Sequence, residues 1–221
     1  MSRVSDARER LLQATNELIW ESSYGSTSVE AICQRAGVNK GSFYHFFASK
    51  AELAVAAIDA EWRQRRPVLN EIFSPLVGPL DRLRRMHEHC LAEQEKRFEE
   101  RGVVVGCPLF SLGCEVCTQN EPIRRKVEEV LGQHLTFIES AVRDAHAQNL
   151  IEAPDAAAKA GIVLGYIEGQ LTRARIQNDL EPVREIAAGV FDILGVAKAS
   201  TAGRDRPEGV AYASVPVSGV V

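Results

Sequence analysis

The chain has 221 residues, 45% of them hydrophobic, and a formal net charge of −4. That apolar content can bury a core, the charge excludes a surface coated in basic residues, and no apolar run reaches the roughly 18 residues needed to span a bilayer. Five cysteines, an odd number, argue against a disulfide framework and leave packing, thiol reactivity or metal ligation open.

The opening MSRVSDARERLLQ is charged rather than apolar, which predicts a cytoplasmic protein without a secretory leader. A first helix is expected over about 6–22, where Ala7, Leu11, Ala14 and Leu18 share one face and Asp6 with Glu9 offers a cap. Thr27 with Glu30 reads as a capping box that opens a second helix with Val29, Ile32, Cys33 and Ala36 inward, and Gly37 ends it. Asn39 caps a short third helix over about 40–47, and Ser49 with Glu52 opens a fourth that runs past Trp62, with Pro67 expected to kink or end it. Further helices are expected over about 80–99, 108–118, 122–149, 155–178 and 182–196. Val103–Val105 is too short for a strand. From Lys198 onward the composition turns to Ala, Ser, Gly, Pro and Val without periodicity, and 198–221 reads as a disordered tail.

The segment 27–50, TSVEAICQRAGVNKGSFYHFFASK, carries the function. Two short helices about a tight glycine turn form a helix-turn-helix pattern. Phe43 and Phe47, four residues apart, face inward, while Lys40, Ser42, Tyr44 and His45 face outward and can bond phosphates and base edges. Arg35, Lys40 and Lys50 against Glu30 make this window basic on an acidic chain.

These residues resemble the DNA-binding domain of the TetR family of bacterial regulators. The likeness lies in Thr27, the Ala36-Gly37-Val38 turn, Gly41-Ser42, the run Phe43-Tyr44-His45-Phe46-Phe47, and Lys50, and it extends over about 7–53. It implies an all-α fold with a three-helix DNA-binding domain (1–53) and a helical sensor and dimerisation domain (54–197). It also implies a homodimer on palindromic double-stranded operator DNA, with recognition helices about 34 Å apart. By the same resemblance Thr27, Tyr44 and Lys50 hold phosphates, and Lys40, Gly41, Ser42 and His45 face the major groove, with Asn39 in the same DNA-facing set. Phe46 departs from the pattern: many relatives carry His or Tyr there, and Phe cannot donate to a phosphate.

Gly161, Gly165 and Gly169 form a stripe along one helix. Each costs about 1 kcal/mol against Ala, so close approach of another helix is expected, either from a second subunit or from within the same one. With Val190 and Leu194 they form the expected dimer interface, in keeping with a family that pairs through its last two helices; Glu168-Gly169-Gln170-Leu171 resembles that segment. Gly106-Cys107-Pro108-Leu109 resembles a pattern in which some members carry a cysteine that answers electrophiles or oxidants. At a helix N-terminus Cys107 is expected to have a lowered thiol pKa, although simple packing of Cys107, as of Cys33, Cys90 and Cys117, accounts equally for its presence. The plainer sensor is a pocket for a small-molecule inducer between helices, which Phe98, Phe110, His134, Phe137, Tyr166 and Gln170 could line; for ligand and redox sensing together the candidates are Cys107, Phe110, Cys114, His134, Tyr166 and Gln170. No phosphate loop, HExxH motif or nucleophile–base pair is present, so neither an enzyme nor a cofactor is expected. Cys114-x-x-Cys117 lacks a second pair at zinc spacing, leaving His87, His89 and Cys90 as the set that could complete a site, and no metal is expected.

Overall fold

The computed structural model describes residues 3–116 and 118–196, and every regular element in them but tight turns is an α-helix. Cys117 and the segment 198–221 lie outside the described residues. The helices are α1 (Arg3–Glu21), α2 (Val29–Ala36), α3 (Lys40–Phe46), α4 (Lys50–Ile72), α5 (Pro79–Arg101), α6 (Pro108–Val116), α7 (Glu121–Ala147), α8 (Ala156–Gln177), α9 (Glu181–Arg184) and α10 (Ile186–Leu194).

Two apolar cores organise them. In the smaller, Leu11, Leu12 and Ala14 of α1 meet Ile32, Cys33 and Ala36 of α2, with Phe43 and Phe47 sealing the far side. The larger centres on α7, which packs against α4, α5, α6 and α8. α4 serves both: Leu53 and Ala57 enter the small core, whereas Ala54, Ile58, Trp62 and Leu69 enter the large one. The two cores are therefore joined by one continuous helix.

Pro67 lies inside α4 and does not end it. An interior proline costs about 3 kcal/mol. Burial of Leu69 and Phe73 beyond it, at about 1.5–3 kcal/mol each, offsets that cost. α1 starts before Asp6, so Asp6 pairs with Arg10 (3.4 Å) rather than capping the helix. The expected final helix is two, α9 and α10, divided at Glu185. A tight bond from Val183 N to Leu180 O (2.9 Å) begins the first, and the offset lets both Val183 and Ile186 turn inward.

The predicted caps of α3, α4 and α8 form. Asn39 Oδ1 accepts from Ser42 N at 2.8 Å, Ser49 Oγ from Glu52 N at 3.1 Å and Asp155 Oδ1 from Ala158 N at 2.9 Å. The α5–α6 link is extended, with Val104 and Val105 buried. The Asn178 side chain holds this link, accepting from Val104 N (2.8 Å) and donating to Gly102 O (3.1 Å). Gly106 has φ +63°, and a Cβ there would fall 2.9 Å from the Leu171 carbonyl oxygen, so the chain needs glycine at this approach to α8.

Candidate functional site

α3 presents two chemically different sides. Phe43 is fully buried and Phe47 nearly so, their rings 6.2 Å apart, which fastens the helix to the small core. Lys40, Gly41, Tyr44 and His45 are exposed and Ser42 is half-buried. Tyr44 is 59% exposed, with only a ring edge against Phe43. Lys40 pairs with Glu30 of α2, and the contact raises its proton affinity. Gly37 takes the left-handed turn between the helices at φ +62°.

Thr27 does not cap α2, as its spacing from Glu30 suggested. Ser28 does, its Oγ accepting from Ala31 N at 3.1 Å. Thr27 is buried one residue earlier and donates its hydroxyl to Ser23 O at 2.7 Å. Lys50 is likewise turned toward the chain. Its Nζ donates to the carbonyls of Tyr24 and Thr27, both at 2.9 Å, and lies 4.0 Å from the centre of the Tyr24 ring. Burial lowers its pKa.

The α1–α2 turn is also gripped from the large domain. Glu115, near the end of α6, accepts from Tyr24 N (3.0 Å) and Gly25 N (2.6 Å). Arg175 of α8 bridges Ser111 Oγ (3.0 Å) of α6 and Ser22 O (3.2 Å) of the turn. Arg101 of α5 reaches Glu21 at 2.8 Å. α6 thus touches the reading head at one end, and its other end opens on a cavity.

That cavity, about 130 Å³, lies between α4, α5, α7 and α8 at the start of α6. Cys107 is the residue before α6; its carbonyl accepts from Ser111 N, and its Sγ receives Phe110 N at 3.4 Å. The expected activation of this thiol does not occur. Burial, then the Glu168 carboxylate beside it, raises the pKa well above the usual thiol range, and the Phe110 N–H offsets only part of that. Glu168 itself is 8% exposed, and burial raises its pKa to about 7 against a hydrogen bond from Cys107 that lowers it. His134 is half-buried: its ring meets Trp62 edge-on at 4.8 Å, and burial with the nearby Arg65 lowers its pKa to about 4.

The other sensor candidates lie elsewhere. Phe110 and Cys114 border a shallow groove between α6 and α7 with Val127 and Leu131. Tyr166 packs so tightly on Gly189 of α10 that no Cβ fits there, and its hydroxyl accepts from Gln170 at 2.8 Å. Of the six, only Cys107 and His134 line the cavity, because helical register alone put residues from different faces into one set. Sequence reading missed Glu168, although a signal existed: it is an acid within the inward stripe Ala160, Val163, Ile167, Leu171, Ala174. Nothing in the sequence singles out Glu115 or Arg175.

On α8, a Cβ on Gly161, Gly165 or Gly169 would meet nothing within 4 Å, so these glycines make room for no neighbour in this chain. Ile162 and Ile176 are exposed on the same helix, with Gly169 midway at heptad spacing. Val190 and Leu194 do not belong to that open face; both are buried in the chain's own large core because α10 turns them onto α8.

A short helix with a polar outer side, held by a glycine turn against its partner, defines a helix-turn-helix DNA-binding domain, here continuous with a helical domain that encloses a cavity. Known proteins agree. Residues 11–57 match the family described as bacterial regulatory proteins, tetR family, and residues 79–190 match the tetracyclin repressor-like C-terminal domain. The transcriptional regulator AcuR of Cereibacter sphaeroides is 33% identical over 80% of this chain and 80% of its own. The HTH-type transcriptional repressor NemR of Escherichia coli is 25% identical over 86% of this chain and 94% of its own. A crystal structure of a regulatory protein TetR from Rhodobacter sphaeroides superposes with a TM-score of 0.76 at 28% identity, covering 85% of this chain and 98% of that one. The chain belongs to the TetR family and is a DNA-binding transcriptional regulator. Among the described residues no helix is long and apolar enough to cross a membrane.

Proposed function

We propose that the protein is a repressor that binds a palindromic operator as a homodimer and leaves it when a small molecule enters the cavity or when the Cys107 thiol is modified. The observation that carries the reading is the two-sidedness of α3. Phe43 and Phe47 are buried, while Lys40, Gly41, Ser42, Tyr44 and His45 stand on the free side. In this reading Lys40, Ser42 and His45 meet base edges, and Gly41 lets the helix approach them closely. Tyr44 donates to a phosphate. Asn39 keeps the first turn of α3 in place, and Thr27 with Lys50 fixes the shape of the α1–α2 turn, through Ser23 O and through the carbonyls of Tyr24 and Thr27, so that the start of α2 is set against the DNA backbone. The open face of α8, with Gly161, Gly165, Gly169, Ile162 and Ile176, pairs with its copy.

Release follows from the placement of α6. A ligand beside Cys107 displaces the start of this helix, and Glu115 passes the shift to the α1–α2 turn. Only the ligand's preference for one state over the other sets the size of the switch. Thiol modification requires Glu168 to take the Cys107 proton, because burial otherwise keeps the thiol protonated. The NemR relative is named a repressor, which supports the sign of regulation.

The test is selection of binding sites from random duplex DNA, followed by sedimentation of the complex. An inverted repeat bound by two subunits is expected. A monomer without sequence preference would overturn the reading. Retention of Cys107→Ser on DNA in the presence of a thiol-modifying quinone, with release of the unsubstituted protein, identifies the thiol route.

A further inference from the structure

Glu168 is a buried acid for which the chain supplies too few partners. It lies on α8 beside Ile167 and Leu171, is 8% exposed, and its Oε2 has no hydrogen-bond partner among the described residues. A buried carboxyl oxygen without a partner costs free energy, and native proteins nearly always supply one. The Cys107 thiol is a hydrogen-bond partner of the carboxyl group.

The other polar groups around the cavity do not answer it. Arg65 on α4 pairs with Glu61 at 3.3 Å, and Arg97 on α5 pairs with Glu93 at 3.1 Å while stacking over Trp20 at 3.7 Å. His87 shares a hydrogen bond with Val183 O at 2.9 Å, and Gln94 spends both ends of its amide on Gly106. His134 on α7 is held neutral, and burial keeps Cys90 a thiol by raising its pKa to about 11. His89 also lines the space. With each guanidinium matched to its own carboxylate, Glu168 is the charge in this lining that lacks a counter-ion.

The rest of the wall near Glu168 is apolar: Ile138, Leu164, Ile167, Leu171 and Ile186. The volume is about 130 Å³, close to the ~150 Å³ of an engineered apolar cavity that accepts benzene. Size and polarity together specify an occupant with a short apolar body and one cationic donor.

We propose that this cavity binds a small primary ammonium compound, its charged nitrogen against Glu168 Oε2 and its carbon body against the aliphatic wall. The proposal rests on the sensor reading of the cavity and names the chemical class of what it senses. Binding fixes Glu168 as the carboxylate and neutralises it, which removes the cost of the unpaired oxygen.

Calorimetric titration of the full-length dimer with butylammonium, 1-butanol and butyrate tests this, since the three share a carbon chain and differ in charge. At pH 8 butylammonium is expected to bind at least tenfold more tightly than either of the others. Its affinity should fall about tenfold at pH 6, where Glu168 is protonated in the free protein. Glu168→Gln should lose at least tenfold. Equal binding of 1-butanol, tighter binding of butyrate, or affinity unchanged by pH overturns the proposal. The ligand ranking and the pH dependence are read on the unsubstituted chain, so the test holds even where Glu168→Gln fails to fold. DNA retention measured in the same samples separates the two readings. Butylammonium that binds without weakening DNA affinity keeps the cation site and removes the sensor role. Butyrate that binds and releases DNA does the reverse.

Discussion

Tyr44→Phe isolates the DNA-facing side of α3 from its packing. The phenol is exposed, and the ring contributes only an edge to Phe43 at 5.0 Å. The substitution keeps the ring and deletes one oxygen, so folding stability should change by less than about 0.5 kcal/mol. On DNA, each subunit of the proposed dimer should lose one neutral hydrogen bond to a phosphate, at about 0.5–1.5 kcal/mol each. The sum, about 1–3 kcal/mol, corresponds to a loss of affinity of about 5–150-fold. No charge is removed, so the slope of log affinity against log salt should stay as it was, and the loss should be similar for every operator variant. Fluorescence anisotropy on a selected operator and its variants at several salt concentrations, with thermal melts of the free protein, measures all four quantities. Unchanged affinity, or a melting point lowered by several degrees, would refute the assignment of Tyr44 to the nucleic-acid side.

Other substitutions address the scaffold and the joint. Phe43→Ala, at a fully buried position, should cost about 3–5 kcal/mol by denaturant unfolding and abolish operator binding with it. Glu115→Ala removes the acceptor for Tyr24 N and Gly25 N; hydrogen exchange at these two amides should quicken, and exchange in the core of α7 should not. Two cavity groups titrate in opposite directions. The pKa of Glu168 rises from 4.5 to about 7 on folding, so its contribution to stability falls by about 3 kcal/mol as pH rises from 4.5 to 7. That of His134 drops from 6.5 to about 4, so its contribution is lost as pH falls through that range. Between pH 4.5 and 6.5 the two slopes oppose each other in the unsubstituted protein. Glu168→Gln should leave the His134 slope alone, and its melting point should fall more steeply on acidification; parallel curves would contradict the assignment.

Local chemistry carried much of this protein's design in its order of residues. The caps Asn39, Ser49 and Asp155 act within one helical turn, and the glycine turn at Gly37 needs only its own backbone freedom. The inward pair Phe43 and Phe47 follows from helical period. All of these depend on neighbours a few positions away, so the helices and the two sides of α3 could be read directly. Pro67 shows the limit even there, since the burial that carries α4 past it comes from other helices.

Tertiary structure decided what depends on long-range packing. Proximity to a helix start alone predicts a reactive Cys107, but the opposite result follows from burial and from Glu168, 61 positions along the chain. Phe110, Tyr166 and Gln170 share a helical logic with Cys107 and His134, yet α6 and α8 turn them to other faces. Glu115 on the α1–α2 turn and Arg175 on Ser22 join residues 91 and 153 positions apart. A side chain's partners across such distances are set by how helices cross, and crossing angles follow from the whole packed interior rather than from any local stretch of residues.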